Sequence, residues 1–202
     1  MAVKIFNATE TEYTGTASAD LVIGNNLGNV IDGGDGNDVI FGGAGDDYLL
    51  GGAGDDVIFG GAGNDTIDVG DGNNIAFGGA GIDNIFGGAG NDVLSGGAGD
   101  DEIYGGDGDD ILSGDAGADV VRGEGATAGD ETVTGNLFLA TSDDILLGGE
   151  DNDTFRITSV ANAANVIIDG GTSGLDNAGA DARYTDINAD DKFPSSSAST
   201  SV

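Results

Sequence analysis

Ten aspartates and two asparagines recur every nine residues between Asp20 and Asp119, and carboxylates at so fixed an interval point first to cation binding. Taken alternately, they form two series. One is Asp20, Asp38, Asp56, Asn74, Asp92 and Asp110; the other is Asn29, Asp47, Asp65, Asp83, Asp101 and Asp119. Stacked about 5 Å apart, unit charges repel by roughly 1–3 kcal/mol at an effective dielectric of 20–80. A hard divalent cation between neighbours reverses that sign, with turn carbonyls as its remaining ligands. A flexible, all-oxygen set of this kind favours Ca²⁺ over Zn²⁺ or Mg²⁺. Asp–Asp neighbours should bind best, and pairs containing Asn29 or Asn74, which lack a charge, more weakly.

The elements that place these residues follow from the unit around them. Twelve nine-residue copies run in register from Gly15 to Arg122, among them GGAGDDYLL at Gly42, GGAGDDVIF at Gly51 and GGAGNDVLS at Gly87. Such a short fixed period calls for a stacked repeat architecture. Positions one to six reverse the chain, with glycine adopting φ > 0 where the turn demands it. Positions seven to nine suit a three-residue strand, whose middle residue faces in while its neighbours face out. The inward column then reads Val22, Ile31, Ile40, Leu49, Ile58, Ile67, Ala76, Ile85, Leu94, Ile103, Leu112 and Val121. Two units make one eighteen-residue coil, and the stack is an all-β parallel β-solenoid with two short parallel sheets and a thin aliphatic core.

The unit resembles the GGxGxDxUx nonapeptide of RTX (repeats-in-toxin) proteins over Gly15–Arg122, and more weakly around Asp144–Asp176. The resemblance implies a right-handed parallel β-roll with Ca²⁺ held in the turns and capped ends. Carried onto this sequence, the metal ligands would be Asp20, Asp38, Asp47, Asp56, Asp65, Asp83, Asp92, Asp101, Asp110, Asp119, Asp144 and Asp153. It also implies type I secretion through an uncleaved C-terminal signal, and so an extracellular or cell-surface location.

Composition narrows the partners. The 202 residues carry a formal charge of −32 with only five Lys and Arg, so nothing could neutralise nucleic-acid phosphates or an anionic membrane surface. No cysteine is present, so neither disulfides nor thiol chemistry contribute, and no apolar run suits a membrane span or a signal peptide. With no histidine, HExxH zinc proteases and Ser-His-Asp hydrolases are excluded in their usual forms. Paired carboxylates such as Asp46/Asp47 recur too often for a glycosidase dyad. The chain reads as a non-enzyme.

Residues 1–14, with Val3, Ile5 and Phe6 alternating, read as an N-terminal cap on the first coil; the roll occupies 15–122. Residues 123–138 read as an inserted loop, 139–176 as a second, degenerate repeat block, and 177–202 as a C-terminal cap with a Ser-rich tail. The unit at Val69, VGDGNNIAF, stands apart: it has lost its leading glycine, its aspartate and its large core residue.

Sorted by parity, the outward residues of one sheet are apolar for four coils in succession: Leu21/Ile23, Val39/Phe41, Val57/Phe59 and Ile75/Phe77. A contiguous area of this kind marks an interface. Its cover is either the chain's own insertion or C-terminal segment or another molecule, and Val39, Phe41, Val57, Phe59, Ile75 and Phe77 are the candidate interface residues. The favoured reading is a secreted calcium-binding structural protein that folds outside the cell. It would self-associate, or bind another surface protein, in a surface layer, filament or matrix. A carrier module of an RTX enzyme or toxin is one alternative. An ice-binding or adhesin solenoid is another, although ice binding would want outward Thr ranks rather than Val and Phe.

Overall fold

The computed structural model describes residues 1–124 and the backbone of four later strands. In chain order the strands begin with β1 (Val3–Ile5), β2 (Glu12–Thr16), β3 (Leu21–Ile23), β4 (Val30–Asp35), β5 (Val39–Ala44) and β6 (Tyr48–Ala53). Next come β7 (Val57–Ala62), β8 (Thr66–Asp71), β9 (Ile75–Ala80), β10 (Asn84–Phe86), β11 (Val93–Ala98) and β12 (Glu102–Gly106). The last are β13 (Ile111–Ala116), β14 (Val120–Glu124), β15 (Thr132–Gly135), β16 (Ile145–Leu147), β17 (Thr154–Ile157) and β18 (Ile167–Asp169). Odd-numbered strands form one nine-stranded sheet and even-numbered strands the other, every described pairing being parallel. The fold is an all-β parallel β-roll, and among the described residues there is no helix, hence none able to cross a membrane.

Register follows the eighteen-residue coil. Val39 pairs with Val57 and Val57 with Ile75 in the first sheet, while Tyr48 pairs with Thr66 in the second. The whole expected inward column from Val22 to Val121 is buried, Ala76 included. Ile75 and Phe77 remain 38% and 39% exposed, so the Val69 unit has not slipped by a residue.

Most strands are longer than the three residues expected. They continue through positions one to three of the next unit, and the chain reverses over positions four to six. The burial pattern of β5 shows what this extension does: Ile40 and Gly42 face in, Val39, Phe41 and Gly43 do not. Asp38, just ahead of the strand, is buried as well. Each strand therefore sends in an aspartate, an aliphatic residue and a glycine at a period of two. At each edge of the flattened roll, the inward glycine of one strand lies against the aspartate just ahead of the next. Glycines at positions two and four take positive φ, as at Gly43 (117°) and Gly45 (97°), where a side chain would be strained.

Residues 1–14 do not lie across the first coil as a separate lid; they form most of a coil in the same stack. Lys4 pairs with Val22 and Tyr13 with Ile31, putting amphipathic side chains at the wet end of the aliphatic column. The Lys4 ammonium lies 5.5 Å over the Phe6 ring and 2.8 Å from Glu10. At the other end, Thr132–Gly135 is a strand within the segment expected to be a loop, pairing Ile111 with Thr132. The coils thus lengthen without leaving the two sheets, since Val120 pairs with Ile145 and Ile145 with Ile167.

Because one aliphatic residue per strand forms the core, truncating it should be expensive. Ile58→Ala is expected to lose about 2–5 kcal/mol. Val57→Thr, one residue away but facing out, should stay within about 0.5 kcal/mol. Urea unfolding in saturating calcium measures both, and equal losses would contradict the inward–outward assignment.

Candidate metal centre

The position-six side chains line the inside of both edges, all at most 3% exposed. Their columns are held by a repeated hydrogen bond. The backbone N–H of Asp20 donates to Oδ1 of Asp38 at 2.6 Å, that of Asp38 to Asp56 at 2.7 Å, and that of Asp56 to Asn74 at 2.8 Å. The second edge repeats this from Asn29 to Asp47 (2.7 Å), Asp47 to Asp65 (2.9 Å), Asp65 to Asp83 (2.8 Å) and Asp83 to Asp101 (2.8 Å). Asp110 and Asp119 close the two series, accepting from Asp92 and Asp101. Consecutive aspartates therefore meet through an amide and a carboxylate, not through two carboxylates.

The second oxygen is the unusual one. Oδ2 of Asp38, Asp47, Asp56, Asp65, Asp83, Asp92, Asp101 and Asp110 is buried and accepts no hydrogen bond. An ionised oxygen left in that state costs more than a neutral one. Burial, opposed by the hydrogen bond from the neighbouring amide, pushes Asp47 and Asp92 up to about 7. The same causes push Asp56, Asp65, Asp83, Asp101 and Asp110 up to about 6, and Asp38 upward as well. For these residues burial outweighs the repulsion between neighbouring carboxylates that the sequence had put first.

Each orphaned oxygen faces the position-one glycine of its own unit. A Cβ on Gly33 would meet Asp38 Oδ2 at 2.5 Å and the carbonyl of Gly51, one coil on, at 2.7 Å. The same two partners crowd Gly42, Gly51, Gly60, Gly78, Gly87 and Gly105. A carboxylate oxygen and a backbone carbonyl thus converge inside every one of these turns. No cluster of three or more Asp and Glu forms among the described residues, so the converging carbonyls are the further protein oxygens open to a cation. Buried anionic oxygens without donors, carbonyls beside them and no nitrogen or sulfur ligand make a donor set that fits a hard cation such as Ca²⁺ and suits neither Zn²⁺ nor a soft metal.

Three turns are built otherwise. Both oxygens of Asp20 are taken by protein donors: Ala2 N–H at 2.5 Å on Oδ1, and the N–H and hydroxyl of Thr16 at 2.9 and 3.0 Å on Oδ2. Those bonds, led by Ala2, hold its carboxyl below the usual range. Asn29 accepts from the N–H of Asn25 at 2.9 Å and returns its amide to Asn25 Oδ1 at 3.1 Å. Asn74 accepts from Asp56 and donates to the carbonyl of Gly72 at 3.2 Å. The signal in the first two cases is position two, where Thr16 and Asn25 stand in place of glycine and swing an N–H onto the position-six side chain. Asp144 and Asp153 lie outside the described residues.

A second ladder runs outside the turns and points the opposite way. Position-five amides donate back one coil, from Asp55 to Asn37, Asn64 to Asp46, Asn73 to Asp55, Ile82 to Asn64 and Asn91 to Asn73. The sequence reading missed it. Its signal was the run of Asn and Asp at that position.

The sequence profile of the RTX calcium-binding nonapeptide repeat matches overlapping windows at 14–49, 23–58, 41–76, 50–85, 68–103, 77–112 and 86–121, and again at 139–156. Among curated proteins, none matches the chain. These windows span more than half of the sequence, and those between 14 and 121 coincide with the turns just described. The chain belongs to the RTX calcium-binding nonapeptide repeat family.

Proposed function

We propose that the protein is a secreted, calcium-folded structural protein that self-associates through the outer face of its first sheet in a surface layer, filament or matrix. The orphaned oxygens of Asp38, Asp47, Asp56, Asp65, Asp83, Asp92, Asp101 and Asp110 are the assigned calcium contacts. Bound calcium supplies the positive charge that those buried oxygens lack. Asp119 belongs to the same series by position, and Asp20 is assigned instead to hydrogen bonding with Thr16. Export follows from the same chemistry: a chain that needs extracellular calcium to fold can leave the cell extended and be trapped outside.

The observation that carries self-association is an aromatic ladder with no cover among the described residues. Phe41 and Phe59 stack at 4.9 Å between ring centroids, and Phe59 and Phe77 at 5.3 Å. Val39, Val57 and Ile75 flank them, while Val3, Ile5, Leu21 and Ile23 extend the strip to the N-terminal coil. A second copy presents the same row at the same coil spacing, which makes the face self-complementary. Burying roughly several hundred Å² at about 25 cal/mol per Å² suffices for a weak lateral contact, and repetition builds weak contacts into a lattice. Calcium also lowers the net charge of −32 that holds free chains apart.

In chelator the chain should be expanded, gaining its β signal in circular dichroism as calcium rises through roughly 10⁻⁴–10⁻³ M, the range of extracellular modules. A full β signal in chelator would refute the calcium assignment. Protons should replace calcium in part. The buried carboxyls titrate near 6 to 7 when folded against an ordinary value of 3.8, so the folded state binds more protons. Metal-free stability should therefore rise as pH falls from about 7 toward 4. Dichroism in chelator unchanged between pH 7.5 and 5 would contradict those raised values.

Phe41→Asp with Phe59→Asp should leave calcium-dependent folding nearly intact and abolish calcium-dependent assembly in sedimentation. Loss of folding instead would mean that the chain covers this face itself.

A further inference from the structure

The unit at Val69 is the one place in the roll between Gly33 and Arg122 where an edge of the interior is apolar. Position one is glycine in the other units, because a Cβ there would run into the position-six oxygen and, at all but Gly96 and Gly114, the next coil's carbonyl. Val69 nevertheless carries its side chain inward at 0% exposure and joins the aliphatic core cluster. Three changes make this possible together. The isoleucine-sized core residue becomes Ala76, the carboxylate becomes the amide of Asn74, and the glycine becomes valine.

Among the described position-six residues from Asp38 to Asp110, Asn74 alone has a side chain that satisfies itself without a cation. Its Oδ1 keeps the inter-coil bond from Asp56 N–H at 2.8 Å. Its Nδ2 donates to the Gly72 carbonyl at 3.2 Å, a donor standing where Asp56 and Asp92, one coil either side, have a bare oxygen. A cation there would face an N–H₂ group and a valine side chain.

Building on the calcium assignment above, we infer that the Val69–Asn74 turn is a plugged site. It binds no calcium, and the Val69 side chain and the Asn74 amide take over the work that the metal does in the neighbouring turns. The two edges of the roll therefore differ. One carries an unbroken run from Asp47 through Asp65 and Asp83 to Asp101. The other is split into a block at Asp38 and Asp56 and a block at Asp92 and Asp110. The coil that separates those blocks is also the one that presents Ile75 and Phe77 on the outer face, so this part of the apolar strip is held without metal at that turn.

Calcium stoichiometry of the full chain, by equilibrium dialysis with metal analysis, tests this. Val69→Gly with Asn74→Asp should gain one calcium per chain. Asn74→Asp alone should gain none, because the valine still occupies the place of the carboxylate oxygen. Asp65→Asn, the control for the underlying assignment, should lose one. If Asp65→Asn loses one and the double variant gains none, the plug is overturned while the assignment stands; a gain by Asn74→Asp alone also overturns it. If Asp65→Asn loses none, assignment and plug fall together. Should the double variant not fold, calcium anomalous scattering from crystals of the unaltered chain decides: density beside Asp56 and Asp92 with none beside Asn74 is expected, and density beside Asn74 overturns the inference.

Discussion

The roll depends on a divided carboxylate. At each regular turn the position-six aspartate gives one oxygen to the amide of its counterpart a coil away and keeps the other buried with no donor. The first oxygen sets the coil register. The second leaves an anionic charge in the interior that must be compensated from outside the chain. Most of the repeat follows from these two demands. Position one is glycine because the second oxygen occupies the space of its Cβ, and positions two and four are glycine because the turn bends through positive φ.

The same demand is answered in different ways along the stack. In the first two units, donors from Thr16 and Asn25 satisfy the position-six side chain, consistent with an end that holds its shape by hydrogen bonding alone. At Val69 and Asn74, apolar volume and an amide serve instead. Asp115 departs in the other direction. It stands where glycine is usual, is the only non-glycine residue at positive φ (64°) among the described residues, and takes the hydroxyls of Ser95 and Ser113. That contact ends the Phe41–Phe59–Phe77 ladder in a polar clasp.

The strand period, the inward column and the alternation of two sheets were legible in the sequence because each rests on a repeated residue type. Strand length was not. Glycine at position one reads as turn chemistry, and only packing shows that it lies within a strand, facing the next aspartate. Asp20 differs from the later position-six aspartates in a way that its own type does not reveal, since its donor lies four residues earlier at Thr16. The Val69 unit reads in the sequence as three separate losses in nine residues, although the three changes meet in one turn of the roll. The strand at Thr132–Gly135 escaped notice because its coil is longer than eighteen residues and carries no copy of the motif.

Hydrogen exchange at the position-six amides tests the divided carboxylate most directly, since each of these N–H groups donates to the oxygen whose partner is the assigned calcium contact. In calcium, the amides of Asp38, Asp47, Asp65 and Asp83 should be protected by orders of magnitude. In chelator at neutral pH they should exchange at the rate of an unstructured chain. Equal protection of all these amides with and without calcium would contradict it.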